Sequence, residues 1–235
     1  MRLDRFLAEC GFGTRSDVKK LIKSGRVTVS GETVARPESQ VDPNTCEVRV
    51  DGKTANYREF VYLMMNKPAG YVSATWDKKL PTVIDLLPRE YLHFEPFPVG
   101  RLDIDTEGLL LLTNDGALGH KLLSPKKHVT KTYVAEIEKP TGADDIKLFE
   151  QGMDLGDFVT LPASLVPLTD TKPYFAEVTI CEGKFHQVKR MFEKVDNKVV
   201  YLRRIRMKNL SLDDNLKPGE VRELTEAELS DLKEN

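Results

Sequence analysis

The stretch Val99-Gly-Arg-Leu-Asp-Ile-Asp-Thr-Glu-Gly108, running straight into Leu109-Leu-Leu-Leu112, decides the fold. Four leucines in a row are far too few for a membrane span and have the length of a core strand. The lead-in holds three acids, Asp103, Asp105 and Glu107, together with Arg101 and Thr106. A loop this polar, entering the core, can keep a carboxylate beside a cation in a partly desolvated place, as nucleophilic or acid–base catalysis needs. An arbitrary D-x-D-x-E is more often an ordinary acidic turn. Alternating acids can also bind Ca²⁺ or Mg²⁺, but the twelve-residue calcium-loop pattern is missing.

Outward from this segment, extended and helical stretches alternate. The patterning predicts strands at Val61–Met65, Gly108–Thr113, Thr132–Ile137, Ala163–Leu168, Phe175–Cys181 and Val199–Met207. Helices are predicted at Val83–Leu87, Ala117–Leu123, Asp144–Glu150, Phe185–Val195 and Glu226–Leu232, the last opened by a Thr225-x-x-Glu228 capping box. On the Phe185–Val195 helix, Phe185, Val188 and Phe192 are expected to share one face. Before these lies a smaller module of two helices and short strands. Leu3, Phe6, Leu7 and Cys10 recur at helical spacing, Thr14 reads as an N-cap with Asp17 as its acid, and Val18, Leu21 and Ile22 form the second buried face. The expectation is an α+β protein of two domains, residues 1–57 and 58–235.

Composition narrows the class. At 235 residues, with 40% hydrophobic and 31% charged, the chain is globular and long enough to bury a core without staples. The total of 35 basic against 37 acidic residues argues against a nucleic-acid binder when taken as one number. Its distribution argues the reverse. Residues 1–30 carry Arg2, Arg5, Arg15, Lys19, Lys20, Lys23 and Arg26 against three acids, and 183–210 carry nine bases against two. The acids gather in 211–235, eight against three bases. A basic stripe is commonly a solvated helix face, but one with few interspersed acids suits a phosphate backbone.

Several chemistries lose support. No G-x-G-x-x-G, P-loop, H-E-x-x-H or G-x-S-x-G motif is present. The zinc-deaminase signature is missing too. Cys10, Cys46 and Cys181 are scattered and form no C-x-x-C pair, so reduced thiols and no metal site are expected. With charge at the N-terminus and no apolar run of membrane length, a cytoplasmic protein is expected.

Four segments in order resemble one family over essentially the whole chain, the RsuA-type pseudouridine synthases, which isomerise a uridine in ribosomal RNA. They are Asn66-Lys-Pro-Ala-Gly70, Gly100-Arg-Leu-Asp through Asp115-Gly116, Lys131-Thr-Tyr133, and Glu182-Gly-Lys-Phe-His-Gln-Val-Lys-Arg-Met-Phe192. Residues 1–57 resemble the small αL RNA-binding module of a ribosomal small-subunit protein. The resemblance implies a catalytic domain with a mixed, largely antiparallel sheet, flanking helices and a central cleft. It implies Asp103 as the essential carboxylate, Tyr133 stacked on the target base, and Lys189 as the basic partner of the aspartate. Many relatives carry Arg at that last position, and Lys pairs as a point charge without a bidentate fork. Arg101 would hold the flipped nucleotide and Leu202 would pack beneath it.

Further RNA contacts are expected from Lys67, Gln187 and Arg190 and from the seven N-terminal bases. No cofactor is implied, and a monomer is expected. The short chain, the H-Q-V-K-R-M segment and the lack of a long basic tail favour 16S rRNA over 23S, with an assembly intermediate of the small subunit as partner. Two other readings stay open: a noncatalytic rRNA-binding assembly factor, and a glycosidase-like hydrolase using Asp103 with Asp105 or Glu107.

Overall fold

A computed structural model describes residues 1–234. They form two compact units, Met1–Val61 with Pro88–Glu95, and Tyr62–Leu87 with Pro96 to the end.

In the first unit, α1 (Leu3–Glu9) and α2 (Arg15–Lys23) pack with strands β1 (Val27–Val29), β2 (Glu32–Thr33), β3 (Val48–Val50) and β4 (Lys53–Thr54). The strands form an antiparallel sheet in the order β2-β1-β3-β4. Thr14 caps α2 by accepting from the Asp17 backbone N–H, leaving α2 free to turn Val18 and Ile22 inward. They join Leu3, Phe6, Leu7, Val27, Val48 and Val50 in one apolar core. The short helix α3 (Arg89–Leu92) belongs to this unit, and its following residue, His93, lies against Gly11 so closely that a Cβ there would stand 3.0 Å from the ring.

The second unit is a nine-stranded sheet. Its strands are β5 (Tyr62–Lys67), β6 (Phe97–Pro98), β7 (Glu107–Thr113), β8 (Lys131–Ile137), β9 (Ser164–Pro167), β10 (Tyr174–Ile180), β11 (Val199–Met207), β12 (Leu210–Ser211) and β13 (Val221–Glu223). The order is β13-β5-β7-β11-β8-β10-β9, with β6 on β7 and β12 on β11. Every pairing is antiparallel except β7 with β11. Helices α4 (Gly116–Leu123), α5 (Ala143–Gln151), α6 (Gln187–Lys194) and α7 (Glu226–Lys233) flank it. The fold is thus α+β with a mixed, largely antiparallel sheet.

The leucine run becomes β7 for a clear reason. An interior strand covered on both faces loses the usual alternation, and Leu109 to Leu112 are all fully buried. Leu109 and Leu111 join Met64, Val99, Leu118, Leu122 and Met207 in the core on one face. Gly108, the second residue of the strand, sits at φ +100°, where a Cβ would come within 2.2 Å of the Arg204 carbonyl. Only glycine lets β7 and β11 approach this closely.

Two helices differ from expectation: the one predicted at Val83–Leu87 is a single 3-10 turn over Val83–Leu86, and the other is α6. Α6 starts at Gln187 because His186 adopts the left-handed region (φ 50°, ψ 28°). Val188, Met191 and Phe192 make the buried face, while Phe185 is thrown outside it, 75% exposed and stacked on the His186 ring at 3.8 Å.

Candidate active site

The loop between β6 and β7 is held from below by a single buried ammonium. Lys67, fully buried at the end of β5, donates from Nζ to the carbonyls of Pro68 (3.1 Å), Asp103 (3.1 Å), Ile104 (3.4 Å) and Thr106 (2.9 Å). Burial pulls its pKa down to about 8, with the charges of Asp105, Glu107 and Asp103 opposing that drop. Ser73 adds a second clamp: its hydroxyl accepts from Leu102 N–H (3.1 Å) and donates to Leu102 C=O (3.0 Å). Gly70 N–H reaches Ile104 C=O at 2.7 Å, and Thr106 N–H reaches Asp103 C=O at 3.1 Å. A polar loop beside a core is stable only with its carbonyls satisfied, and these bonds do that.

So fixed, the loop turns Asp103 into a cleft of about 380 Å³ lined by Arg101, Tyr133, His186, Lys189 and Leu202 among others. Tyr133 comes from β8 and Leu202 from the neighbouring β11. Lys189, in the first turn of α6, places Nζ 3.3 Å from Asp103 Oδ2 and 2.6 Å from Asp105 Oδ1. His186 Nε2 lies 3.6 Å from the other Asp103 oxygen. Burial works to raise the Asp105 carboxyl, but its bond to Lys189 and that cation's charge outweigh it and hold it below the usual carboxylate range. Glu107 is engaged elsewhere, accepting from Tyr201 Oη at 2.8 Å. Burial first, then this carboxylate, pushes the Tyr201 phenol up to about 12. Among the described residues, no three His, Cys, Asp or Glu side chains gather as metal ligands.

The expected site residues therefore separate. Arg101, Asp103, Tyr133, Gln187, Lys189 and Leu202 all line the cleft. Gln187 spends its amide internally, donating to Glu182 Oε1 (2.9 Å) and accepting from Lys184 N–H (3.0 Å). Lys67 is corrected from an RNA contact to an internal anchor, because a fully buried ammonium on four carbonyls reaches no strand outside. Arg190 also lies outside the cleft. One residue past Lys189 on a helix is a turn of about 100°, and Arg190 pairs instead with Asp157 and the Leu155 carbonyl. From residue type alone His186 carries no role, although it stands inside the Glu182–Phe192 segment, three positions before Lys189.

In the first unit Arg2, Arg5, Arg15, Lys19, Lys20, Lys23 and Arg26 are all exposed. Four of them already have acids: Arg2 with Asp4, Arg5 with Glu9, Lys20 with Asp17, and Arg26 with Asp51. Among the described residues Arg15, Lys19 and Lys23, all on α2, make no ion pair.

An acid clamped beside a lysine in a sheet-lined cleft is a site for nucleophilic or acid–base chemistry on a group small enough to enter it. Residues 61–194 match the RNA pseudouridylate synthase family model and residues 1–45 match the S4 domain. The chain belongs to the RNA pseudouridine synthase family and carries an S4 RNA-binding domain. It is 51% identical, over 100% of its length and 99% of the other, to the uncharacterized RNA pseudouridine synthase YtzG of Bacillus subtilis. It is 41% identical to ribosomal small subunit pseudouridine synthase A of Escherichia coli K12, covering 98% of this chain and 99% of that one. A crystal structure of a pseudouridylate synthase superimposes with a TM-score of 0.69 at 36% identity, over 99% of each chain.

Proposed function

We propose that this enzyme converts one uridine of small-subunit (16S) rRNA to pseudouridine, with Asp103 as the essential carboxylate. The observation that carries the reading is the Asp103 carboxylate held between Lys189 and His186 in a cleft walled by Tyr133 and Leu202. The small-subunit substrate is supported by the full-length likeness to ribosomal small subunit pseudouridine synthase A.

The chemistry is an isomerisation. The N1–C1′ bond of the nucleotide breaks, the uracil turns, C5 bonds to C1′, a proton leaves C5 and one arrives at N1. No electron is gained or lost overall. Asp103 attacks the ribose or C6 of the base, either of which needs a carboxylate at van der Waals distance from a nucleotide lifted out of its stack. Extrusion costs a few kcal/mol, which stacking on Tyr133 and packing on Leu202 offset. Arg101, exposed at the cleft, contacts the extruded nucleotide. Lys189 divides itself between Asp103 and Asp105, so Asp105 tunes how much of its charge reaches the nucleophile.

Residues 1–57 and 58–235 serve as the binding and catalytic modules. Arg15, Lys19 and Lys23 on α2 give the first its open cations for the RNA backbone. The enzyme acts as a cytoplasmic monomer on an assembly intermediate of the small subunit. Pseudouridine mapping of rRNA from a deletion strain, complemented with wild type, Asp103→Ala or Asp103→Asn, tests this reading. One 16S position is expected to lose its mark and regain it only with wild type. Restoration by Asp103→Ala refutes the mechanism, and loss confined to 23S rRNA refutes the substrate.

A further inference from the structure

Beside the catalytic cleft lies a second, larger cavity of about 1020 Å³, lined by four cations and one acid. The two cavities share Arg101, Tyr133, Gly183 and Lys184 in their linings. Arg204 of β11, 2% exposed, lines the second one and stands in register with Tyr133 of β8. Its guanidinium makes one hydrogen bond, from Nε to Leu109 C=O (2.8 Å). Its Nη2 is buried with no partner among the described residues, although an arginine has five N–H donors to place. Lys131, on the same strand as Tyr133 and 8% exposed, lines the cavity too. Its Nζ donates to Val129 C=O at 2.8 Å and makes no ion pair among the described residues.

The one acid in the lining, Glu182, accepts from Leu161 N–H and Gln187 and forms no ion pair with Lys131 or Arg204 among the described residues. Burial lowers the Lys131 pKa and the nearby charge of Arg204 lowers it further, with the charge of Glu182 opposing. The lining carries Arg101, Lys131, Lys184 and Arg204 against the single acid Glu182, and cations in such excess, two of them buried, are costly unless something anionic arrives. An Arg–Lys pair with open donors is a recognition set for a phosphate-type oxyanion.

We propose that this cavity is a phosphodiester subsite, in which Lys131 and Arg204 take the backbone phosphate next to the target uridine. The proposal rests on the uridine-isomerising reading of the adjoining cleft and adds where the backbone of that nucleotide goes. A strand whose uracil enters the cleft at Tyr133 has its own sugar–phosphate at the shared wall. Binding energy gathered at the phosphate then helps to hold the base out of its stack.

The test uses the full-length enzyme and a synthetic rRNA fragment containing its target uridine, with a neutral methylphosphonate replacing either the 5′ or the 3′ phosphate of that nucleotide. At one of the two positions wild-type affinity is expected to fall about 10- to 100-fold, the worth of a charge-assisted hydrogen bond. Lys131→Met is expected to be weakened on native RNA and to lose less than wild type on the neutral linkage, because only Arg204 still reads the charge, while Lys131→Arg recovers the full sensitivity. Arg204→Lys, which keeps the charge and loses the fork, should fall between.

Equal binding of native and neutral RNAs by wild type overturns the proposal, as does a Lys131→Met enzyme that suffers the same loss as wild type. Thermal stabilisation by inorganic phosphate over chloride at equal ionic strength, without any methylphosphonate effect, assigns the cavity to free phosphate and also overturns it. A wild-type enzyme that makes no pseudouridine in native rRNA would instead be a failure of the function reading, seen before any neutral linkage is introduced.

Discussion

Lys67→Met separates stability from activity in this enzyme. The buried ammonium has its pKa pulled from 10.5 to about 8, so carrying its charge costs the fold on the order of 3 kcal/mol. Methionine removes that cost and fills much of the same space. It also strips four carbonyls of their charged donor. Those of Asp103 and Ile104 keep second donors in Thr106 N–H and Gly70 N–H. Counted on the other two, Pro68 and Thr106, the loss is about 1–3 kcal/mol each. The terms nearly offset, and global stability should fall by no more than about 3 kcal/mol.

Activity has no such compensation. The loop carrying Asp103 loses its internal anchor, and a misplacement of about 1 Å costs on the order of 100-fold in kcat. Tritium release from C5-labelled uridine in rRNA measures kcat, and urea denaturation measures stability. The pH dependence adds a second check. The folded state holds this proton less tightly than the unfolded chain, so Lys67 makes wild type gain stability between about pH 8 and 10.5. Lys67→Met lacks that gain. A variant with kcat within threefold of wild type, or one whose stability follows wild type across that pH window, would refute the reasoning.

Other substitutions probe the remaining joints. Gly108→Ala places a Cβ 2.2 Å from the Arg204 carbonyl at a φ of +100°, and should cost more than about 4 kcal/mol by urea denaturation or prevent folding. Arg222, bonded to Glu228 at 2.8 Å, holds that carboxyl at about 2 against an ordinary 4.5. Its stabilisation, on the order of 3 kcal/mol before solvent screening, is complete above pH 4.5 and lost as pH falls through about 2; Glu228→Gln should be less stable than wild type by about 1–3 kcal/mol at pH 7, a gap that closes over that acid window. Replacing Arg15, Lys19 and Lys23 by Ala should weaken RNA binding and reduce the slope of log K against log salt by about 2, with kcat at saturating RNA unchanged.

Much of this architecture is legible locally. The leucine run marks a core strand because its apolar surface has nowhere else to go. Thr14 and Thr225 mark helix starts because a side-chain oxygen must meet the first free N–H groups. The strand at Val199–Met207 and the α7 capping box stand where the pattern puts them. Local pattern failed at Phe185, where one left-handed residue, His186, ended the helical phase. It also missed β13, an edge strand of three residues with no alternation to read.

The site divides in the same way. Asp103, Tyr133 and Lys189 can be picked from the chain because their residue types and motif order survive as local text. Whether a lysine faces RNA or a carbonyl cage cannot be read there. Lys67 looks like any basic residue beside a proline until the β5–β7 pairing puts three loop carbonyls around it. The parallel pairing of β7 with β11 likewise brings Arg204 of a distant strand against Gly108 and into the wall of the second cavity. Periodicity records which face a side chain takes relative to its own element. Register between elements separated by about a hundred residues is a long-range packing outcome, and it was the tertiary structure that decided which cations are anchors, which are paired, and which are left waiting for an anion.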